Sequence, residues 1–294
     1  MKVNTTKGSL LVLFGAFCYG MLGTLVKLAY QHGYNTAEVT ISQFSIGVLG
    51  LYITNIFSQK KNKEIEKVKI NKLSKVKLIG AGTSLGLTSV FYYLAVKHIS
   101  VSIAIILLIQ ATWLSLVLEM ITTKTKPGYS KIFAIIIILL GTILATNIVF
   151  NKSTFSATGL FWGILASLSY TATIYSTSRL ETKVPHLKRS LFMVLGGLII
   201  VLLIFNSSLN LNLNFPIFYS WGLSIALFGT ILPPILFSKG MPLTGAGMGA
   251  IFTSLEVPVS LITAYFVLNE TITLMQWLGV VIIIIAIIII NKTE

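Results

Sequence analysis

The sequence predicts an all-α, polytopic membrane protein of ten transmembrane helices, arranged as two inverted five-helix repeats. Of its 294 residues, 55% are hydrophobic and only 10% are charged, whereas a soluble domain of this size carries about 25% charged residues. The apolar residues form continuous runs of the length that a membrane helix needs, roughly 20 residues. Only helices and closed barrels satisfy backbone polar groups in lipid, and because these runs do not alternate with polar residues they predict helices.

Ten such runs follow one another along the chain, each bounded by polar or turn-forming residues. The predicted spans are Gly8–Tyr30, Ala37–Phe57, Leu78–Val96, Ser100–Ile121, Ile132–Ile148, Thr158–Ser178, Leu191–Phe205, Ile217–Phe237, Gly245–Leu268 and Leu274–Ile290. The first run is too long for a signal-peptide core, so it is expected to remain as span one. The chain then divides into two predicted domains of five spans each, residues 1–150 and 151–294.

The distribution of basic residues predicts the orientation in the membrane. Lys and Arg collect in the short loops on the cytoplasmic side. With the N-terminus placed in the cytoplasm, all of the 22 Lys and Arg residues except Lys27, Lys97 and Lys152 fall on the cytoplasmic side. The sequence therefore predicts a cell-membrane protein with both termini in the cytoplasm. The net charge of +14 is explained by topology, so no nucleic-acid partner is expected.

The two halves resemble each other weakly in sequence and strongly in charge. When Gly8 is aligned with Gly159, Tyr19 falls opposite Tyr170. Because each half has an odd number of spans, the second half must enter the membrane from the other side, and matching loops should carry opposite charge bias. The Lys-rich loop after span two matches the uncharged loop 206–216. Inverted repeats of this kind are common in secondary carriers.

Glu256 is the clearest candidate for a functional residue, because an ionisable side chain within a membrane span is costly and marks function by default. It lies near the middle of span nine on a stripe of small and polar residues, Gly245, Gly249, Thr253 and Ser260, that is unsuited to face lipid. Pro258 removes a backbone hydrogen bond beside it. Either Glu256 binds a cationic group of a solute or carries a proton, or it is a hydrogen-bonded structural glutamate.

Further polar residues within the spans are candidates for lining a central cavity. Gln110 and Trp113 are three residues apart on span four and share a face; they either grip a solute or hydrogen-bond neighbouring helices, and the repeat places Gln110 opposite Glu256. Tyr19 and Tyr170 either line the cavity or pack. Tyr92 ends a polar stripe on span three. The candidate binding residues are Glu256, Gln110, Trp113, Tyr19, Tyr170, Tyr92 and Thr253.

Several kinds of chemistry have no signature in the sequence. The three histidines are isolated in loops, there is no Asp, and no P-loop is present, so neither a metal site nor an ATPase is expected. No cofactor is expected, and the chain is not expected to be an enzyme. Gly82 and Gly86 fit a small-xxx-small pattern that favours close helix packing, with a homodimer as the alternative. The fifth and tenth spans contain long stretches without a polar side chain and are expected to face lipid or a partner subunit.

Three motifs resemble those of the EamA-type carriers of the drug/metabolite transporter superfamily. Ser254-Leu255-Glu256-Val257-Pro258-Val259 resembles the Leu-Glu-Pro-Val stretch of that family, and residues 268–279 resemble its Leu-Gly-Glu followed by Gln-x-x-Gly. Residues 14–20 resemble a first-helix motif that usually ends in Trp-Gly. The departures are Tyr19 in place of that Trp, the extra Val257, Gln43 where the family often has Arg, and Lys124 where it usually has Glu.

The resemblance covers essentially the whole chain and implies a function. It implies export or exchange of amino acids or related metabolites by alternating access about a central cavity lined by spans one, three, four, six, eight and nine. The expected partners are therefore a small-molecule solute and the lipid bilayer. An exporter of drugs or organic cations is the alternative, favoured by Glu256 and the cavity aromatics, and a membrane enzyme or scaffold is a third.

Overall fold

The computed structural model of the protein describes residues 5–61, 70–99, 101–124, 126–145, 156–206, 214–269 and 271–293. The helices are α1 (Thr5–Gln31), α2 (Thr36–Lys61), α3 (Lys72–His98), α4 (Val101–Ile109), α5 (Ala111–Thr123), α6 (Tyr129–Ala145), α7 (Ala157–Arg179), α8 (His186–Ile204), α9 (Trp221–Ala226), α10 (Leu232–Thr244), α11 (Ala246–Thr253), α12 (Glu256–Leu268) and α13 (Leu274–Thr293). A π-helical turn, Leu227–Ile231, joins α9 to α10. Within these ranges every predicted span is largely helical.

The predicted ten-span architecture is confirmed. Among the described residues, nine helical segments are long and apolar enough to cross a membrane. They correspond to all predicted spans except the fifth, which is α6 with 17 residues; the end of that predicted span, residues 146–148, lies outside the described residues. Spans four and nine are each made of two helices, α4 with α5 and α11 with α12, and span eight consists of α9, the π-helical turn and α10.

Span eight is displaced from its predicted bounds of 217–237. Ile217 lies in a 3₁₀ turn, Phe215–Phe218, and the span runs from Trp221 to Thr244. Pro233 and Pro234 lie two and three residues beyond the π-helical turn, in the first turn of α10. Proline cannot donate to the preceding turn, and a π-helical turn is one way in which a helix absorbs such a disruption.

The packing of the spans follows an internal two-fold relation. Span three packs on spans six and seven, and its counterpart, span eight, packs on spans one and two. Span four packs on span six in the same way as span nine packs on span one. Exchanging the two halves therefore converts one set of contacts into the other, as the inverted repeat requires.

Spans five and ten pack against each other, so each has an inner face within the chain besides the outer face that was expected to meet lipid or a partner subunit. A methyl group added to Gly279 would lie 2.5 Å from the carbonyl oxygen of Gly141, so the two backbones touch at this crossing. Ile138 and Ile283 are fully buried beside it, whereas Leu140 and Ile285 on the outer faces are about half exposed. Isoleucine side chains thus serve both the contact between helices and the outer surface.

The two ends of the bundle differ in charge. The basic side is the end where Lys72 begins span three, Lys124 follows span four and Arg179 ends span six. The opposite side is the end marked by Gly33, Ile99 and Asn269. These two names are used below without reference to cytoplasm or exterior.

The small-residue pattern on span three serves packing within the chain. A methyl group on Gly82 would lie 1.9 Å from the carbonyl oxygen of Met193, and one on Gly86 would lie 2.6 Å from that of Gly197. Spans three and seven therefore cross with their backbones in contact, which requires glycine at these positions. Span seven therefore covers these two glycines within the chain.

Replacing Gly82 with Ala is expected to destabilise the protein by about 3 kcal/mol, because the added methyl overlaps a backbone atom that cannot rotate away. Gly80→Ala on the same helix is the matched control, since a methyl group there has open space within 4 Å and gains helix propensity. Thermal unfolding in detergent should show a clearly lower midpoint for Gly82→Ala only. Equal midpoints for the two variants would refute the close crossing.

Candidate functional site

A break in span nine places Glu256 inside the bundle. Pro258 has no N–H to donate to the Ser254 carbonyl, which accepts a bond from Val257 N at 3.2 Å. Ser254 N and Leu255 N also bond three residues back, to Ile251 and Phe252. These tighter bonds end α11 at Thr253 and start α12 at Glu256. The side chain of Glu256 is consequently buried, with only 8% exposure.

Span four carries the matching break. Gln110, before α5, has φ −58° and ψ −22°, and Leu255, before α12, has φ −60° and ψ −19°. Both following helices have 13 residues and end in a left-handed residue, Lys124 and Asn269 respectively. The equivalent of Gln110 is therefore Leu255, one residue away from the Glu256 that sequence alignment placed opposite it, and the backbones of the two halves match closely here.

A cavity of about 70 Å³ lies beside Glu256. One water molecule needs about 10–15 Å³ on this measure, so the cavity holds several waters or one small solute. It is lined from spans one, three, four, six and nine. Of the spans that the family resemblance implies, span eight contributes no lining residue.

The structure brings five of the seven candidate residues together at this cavity: Tyr19, Tyr92, Tyr170, Thr253 and Glu256. Tyr170 Oη donates to Glu256 Oε1 at 2.5 Å, a short hydrogen bond to a carboxylate. The Tyr19 ring lies edge-on to the Tyr170 ring, with centroids 6.4 Å apart. The acid and the aromatic rings therefore form one connected wall.

Gln110 and Trp113 lie outside the cavity and contact each other. Trp113 Nε1 donates to Gln110 Oε1 at 2.8 Å, and Gln110 Nε2 donates to the Ile106 carbonyl at 2.9 Å. Trp113 is 40% exposed, on the outer surface of the bundle. The three-residue spacing predicted that Gln110 and Trp113 share a face of span four. The break at Gln110 sets the direction of that face, which is toward the outer surface of the bundle.

Gln43 supports the site and was not among the candidates. Tyr93 Oη donates to Gln43 Oε1 at 2.9 Å, and both side chains are almost fully buried. Tyr93 lines the cavity, so span two holds its ring in place from behind. The sequence signal that was available is a polar residue, flanked by Ser42 and Phe44, in the interior of a membrane span.

The charge of the lining is one-sided. Among the described residues that line the cavity, Glu256 is the single acidic or basic residue. Lys27 lines a smaller cavity of about 20 Å³ toward the opposite side. Lys27 is seven residues beyond Gly20, which packs against the Glu256 backbone, so it lies about 10 Å further along span one at 1.5 Å per residue.

The two sides of the cavity differ in closure. Toward the opposite side, the smaller cavity continues the main one and shares Gly23, Ile105, Val257 and Ser260 with it. Toward the basic side, spans one, six, eight and nine pack into an apolar core that includes the fully or almost fully buried side chains of Val12, Ile174, Phe237, Met241 and Ile251.

An ion-pair latch lies on the basic side beyond this core. Glu119 Oε1 accepts from Arg179 Nη2 at 2.8 Å, and Glu119 Oε2 accepts from Gly247 N at 2.8 Å. The latch, defined as Glu119, Arg179 and Gly247, joins span four of the first half to spans six and nine of the second.

Comparisons with known proteins place this architecture in a family. The chain is 24% identical over 295 residues to a protein of Salmonella typhimurium named as the uncharacterized inner membrane transporter YicL, covering 98% of this chain and 96% of that protein. A crystal structure with 11% identity superposes with a TM-score of 0.77, covering 97% of this chain and 98% of its own, which shows a shared fold. The model of the EamA-like transporter family matches residues 6–147 and 157–292. The chain belongs to the EamA-like transporter family.

Proposed function

We propose that this protein is a secondary transporter that carries a small, positively charged organic metabolite across the cell membrane by alternating access. Its termini lie in the cytoplasm in this proposal, because the basic side carries the lysine-rich loops. The observation that carries the proposal is the acidic character of the cavity, in which Glu256 is the single acidic or basic residue among the described lining residues. A cation entering a low-dielectric cavity needs such a partner.

The same charge argues against a zwitterionic amino acid, which the family resemblance implied. The ammonium and carboxylate groups of an α-amino acid are attached to one carbon, so both would have to be accommodated beside Glu256. No basic residue lines the cavity in the part of the chain that the structure describes, and Lys27 lies about 10 Å beyond Gly20 along span one. A buried carboxylate without a partner is strongly unfavourable.

The size of the cavity supports a small metabolite over a bulky drug. Sites for drug-sized ligands commonly measure about 300–1,000 Å³, and this cavity measures about 70 Å³. The alternating-access mechanism is supported by the inverted two-fold packing together with the difference in closure between the two sides.

Counterflow into proteoliposomes tests the proposal. Vesicles containing the purified protein and loaded with unlabelled isobutylamine are expected to accumulate labelled isobutylamine, and the recovered amine should be chemically unchanged. Vesicles loaded with valine, which is the same skeleton with an added carboxylate, should accumulate at least tenfold less of their own labelled solute. Equal or better counterflow of valine, or no counterflow of either amine or valine, would overturn the assignment of a cation.

A further inference from the structure

The hydroxyl groups that line the cavity are already committed as donors. The side chains of Thr88, Ser89, Thr112 and Thr253 donate to backbone carbonyls. Each hydroxyl has a single proton and two lone pairs. These groups therefore present only acceptor capacity to a solute.

The hydroxyl groups of Tyr93 and Tyr170 also use their single proton in a hydrogen bond within the protein. Tyr93 Oη donates to Gln43 Oε1 at 2.9 Å, and Tyr170 Oη donates to Glu256 Oε1 at 2.5 Å. The second oxygen of the Glu256 carboxylate, Oε2, adds a charged acceptor. The lining hydroxyls of Tyr19, Tyr92 and Ser260 can act in either role, so the polar lining as a whole is biased toward accepting.

An acceptor-rich wall selects among cations. A primary ammonium group carries three N–H donors that can bond to Glu256 Oε2 and to the hydroxyl oxygens. A quaternary ammonium group carries none, so it would displace water from these oxygens and leave their lone pairs unpaired, which is unfavourable in a buried site.

From this arrangement we infer that the solute is an amine that retains N–H donors, a primary or secondary ammonium without a carboxylate. The inference rests on the proposed function and narrows it. The competing physical effect is the attraction of the tyrosine rings for any cation, which favours quaternary ammonium equally. The hydrogen-bonding pattern decides between them because the hydroxyl acceptors are held in fixed positions by their own bonds to the backbone.

Inhibition of isobutylamine counterflow by two isomeric cations tests the inference. Tetramethylammonium and protonated tert-butylamine have the same atomic composition and nearly the same tetrahedral shape, so they differ chiefly in their N–H donors. We expect tert-butylamine to inhibit at concentrations at least tenfold lower, which is the effect of losing one hydrogen bond to a charged group. Equal or stronger inhibition by the quaternary cation would overturn this inference while leaving transport of a cation intact. Loss of all amine counterflow would instead refute the proposed function.

A second variant pair links the effect to the cavity wall. Thr253→Val removes an acceptor next to Glu256, and Thr83→Val removes a hydroxyl that likewise bonds to a carbonyl three residues back but does not line the cavity. Thr253→Val should weaken inhibition by tert-butylamine about tenfold and leave that of the quaternary cation unchanged, whereas Thr83→Val should alter neither. An equal loss for both cations with Thr253→Val would mean that the hydroxyl acts through packing alone and would overturn its role as an acceptor.

Discussion

Glu256→Gln is expected to lower the initial rate of amine counterflow at least about thirtyfold. The amide has nearly the same shape and can still accept from Tyr170 Oη, so the wall of the cavity is retained. What is lost is the negative charge, and removing one partner of a buried charge pair costs about 2–5 kcal/mol, which corresponds to about thirtyfold or more. The measurement is the initial rate in proteoliposomes with equal amounts of reconstituted protein.

Glu181→Gln is the matched control for this prediction. Glu181 pairs with Lys77 on the surface at 3.9 Å, and an exposed ion pair contributes little, so its loss should leave the rate within about twofold. Thermal unfolding of both variants separates misfolding from loss of function. If Glu256→Gln is folded and transports within a few-fold of the unmodified protein, then Glu256 is a structural glutamate, the alternative reading of the sequence.

Glu119→Gln is expected to open the cavity toward the basic side. Arg179 and Gly247 donate to different oxygens of the Glu119 carboxylate. In glutamine one of these oxygens is replaced by an NH2 group, which cannot accept, so one bond of the latch is lost together with the charge. Arg179 is about half exposed, so the ion pair itself contributes little, and most of the effect comes from an enclosed backbone N–H left without its partner. We expect the population open to the basic side to rise about tenfold, equivalent to about 1.4 kcal/mol.

Thiol labelling measures this shift in the closed and open populations. Cys18 is the only cysteine in the chain and is buried, so Cys18→Ala provides a background in which Ser89→Cys reports on the cavity. A membrane-impermeant reagent applied to the basic side should label Glu119→Gln about ten times faster than the background protein, and Glu181→Gln should label no faster. Unchanged labelling in Glu119→Gln would show that the apolar core alone closes this side.

The fold was predictable because lipid imposes a simple rule on sequence. Each span must be apolar over its length, and the loops carry the charge that sets its direction, so the spans and the inversion follow from local composition. Glu256 was predictable for the same reason, since a carboxyl group inside an apolar run is conspicuous. Tyr19 and Tyr170 were found through the repeat, because equivalent positions in the two halves occupy related places in the fold.

The errors arose where the answer depended on contacts between distant residues. Trp113 has the spacing of a cavity residue, but the rotation of α5 after the break at Gln110 is set by packing and turns it outward. Glu119 has its partner Arg179 60 positions away, so the local sequence does not indicate this ion pair. Arg189 is buried and binds the carbonyls of Thr177 and Ser238, contacts that the local sequence likewise does not indicate.

The closely matched backbones at Gln110 and Leu255 contrast with the single acid that lies next to only one of them. The two halves can exchange conformations during a transport cycle, but only the second half carries an acid at this position. Each passage through the bilayer can therefore neutralise only one positive charge. If Glu256 returns without a proton, every turnover transfers one elementary charge and is driven or opposed by about 2.3 kcal/mol per 100 mV of membrane potential. If it returns protonated, the turnover produces no current. Whether transport moves net charge therefore depends on whether the two oxygens of this carboxyl group hold a proton on the return step.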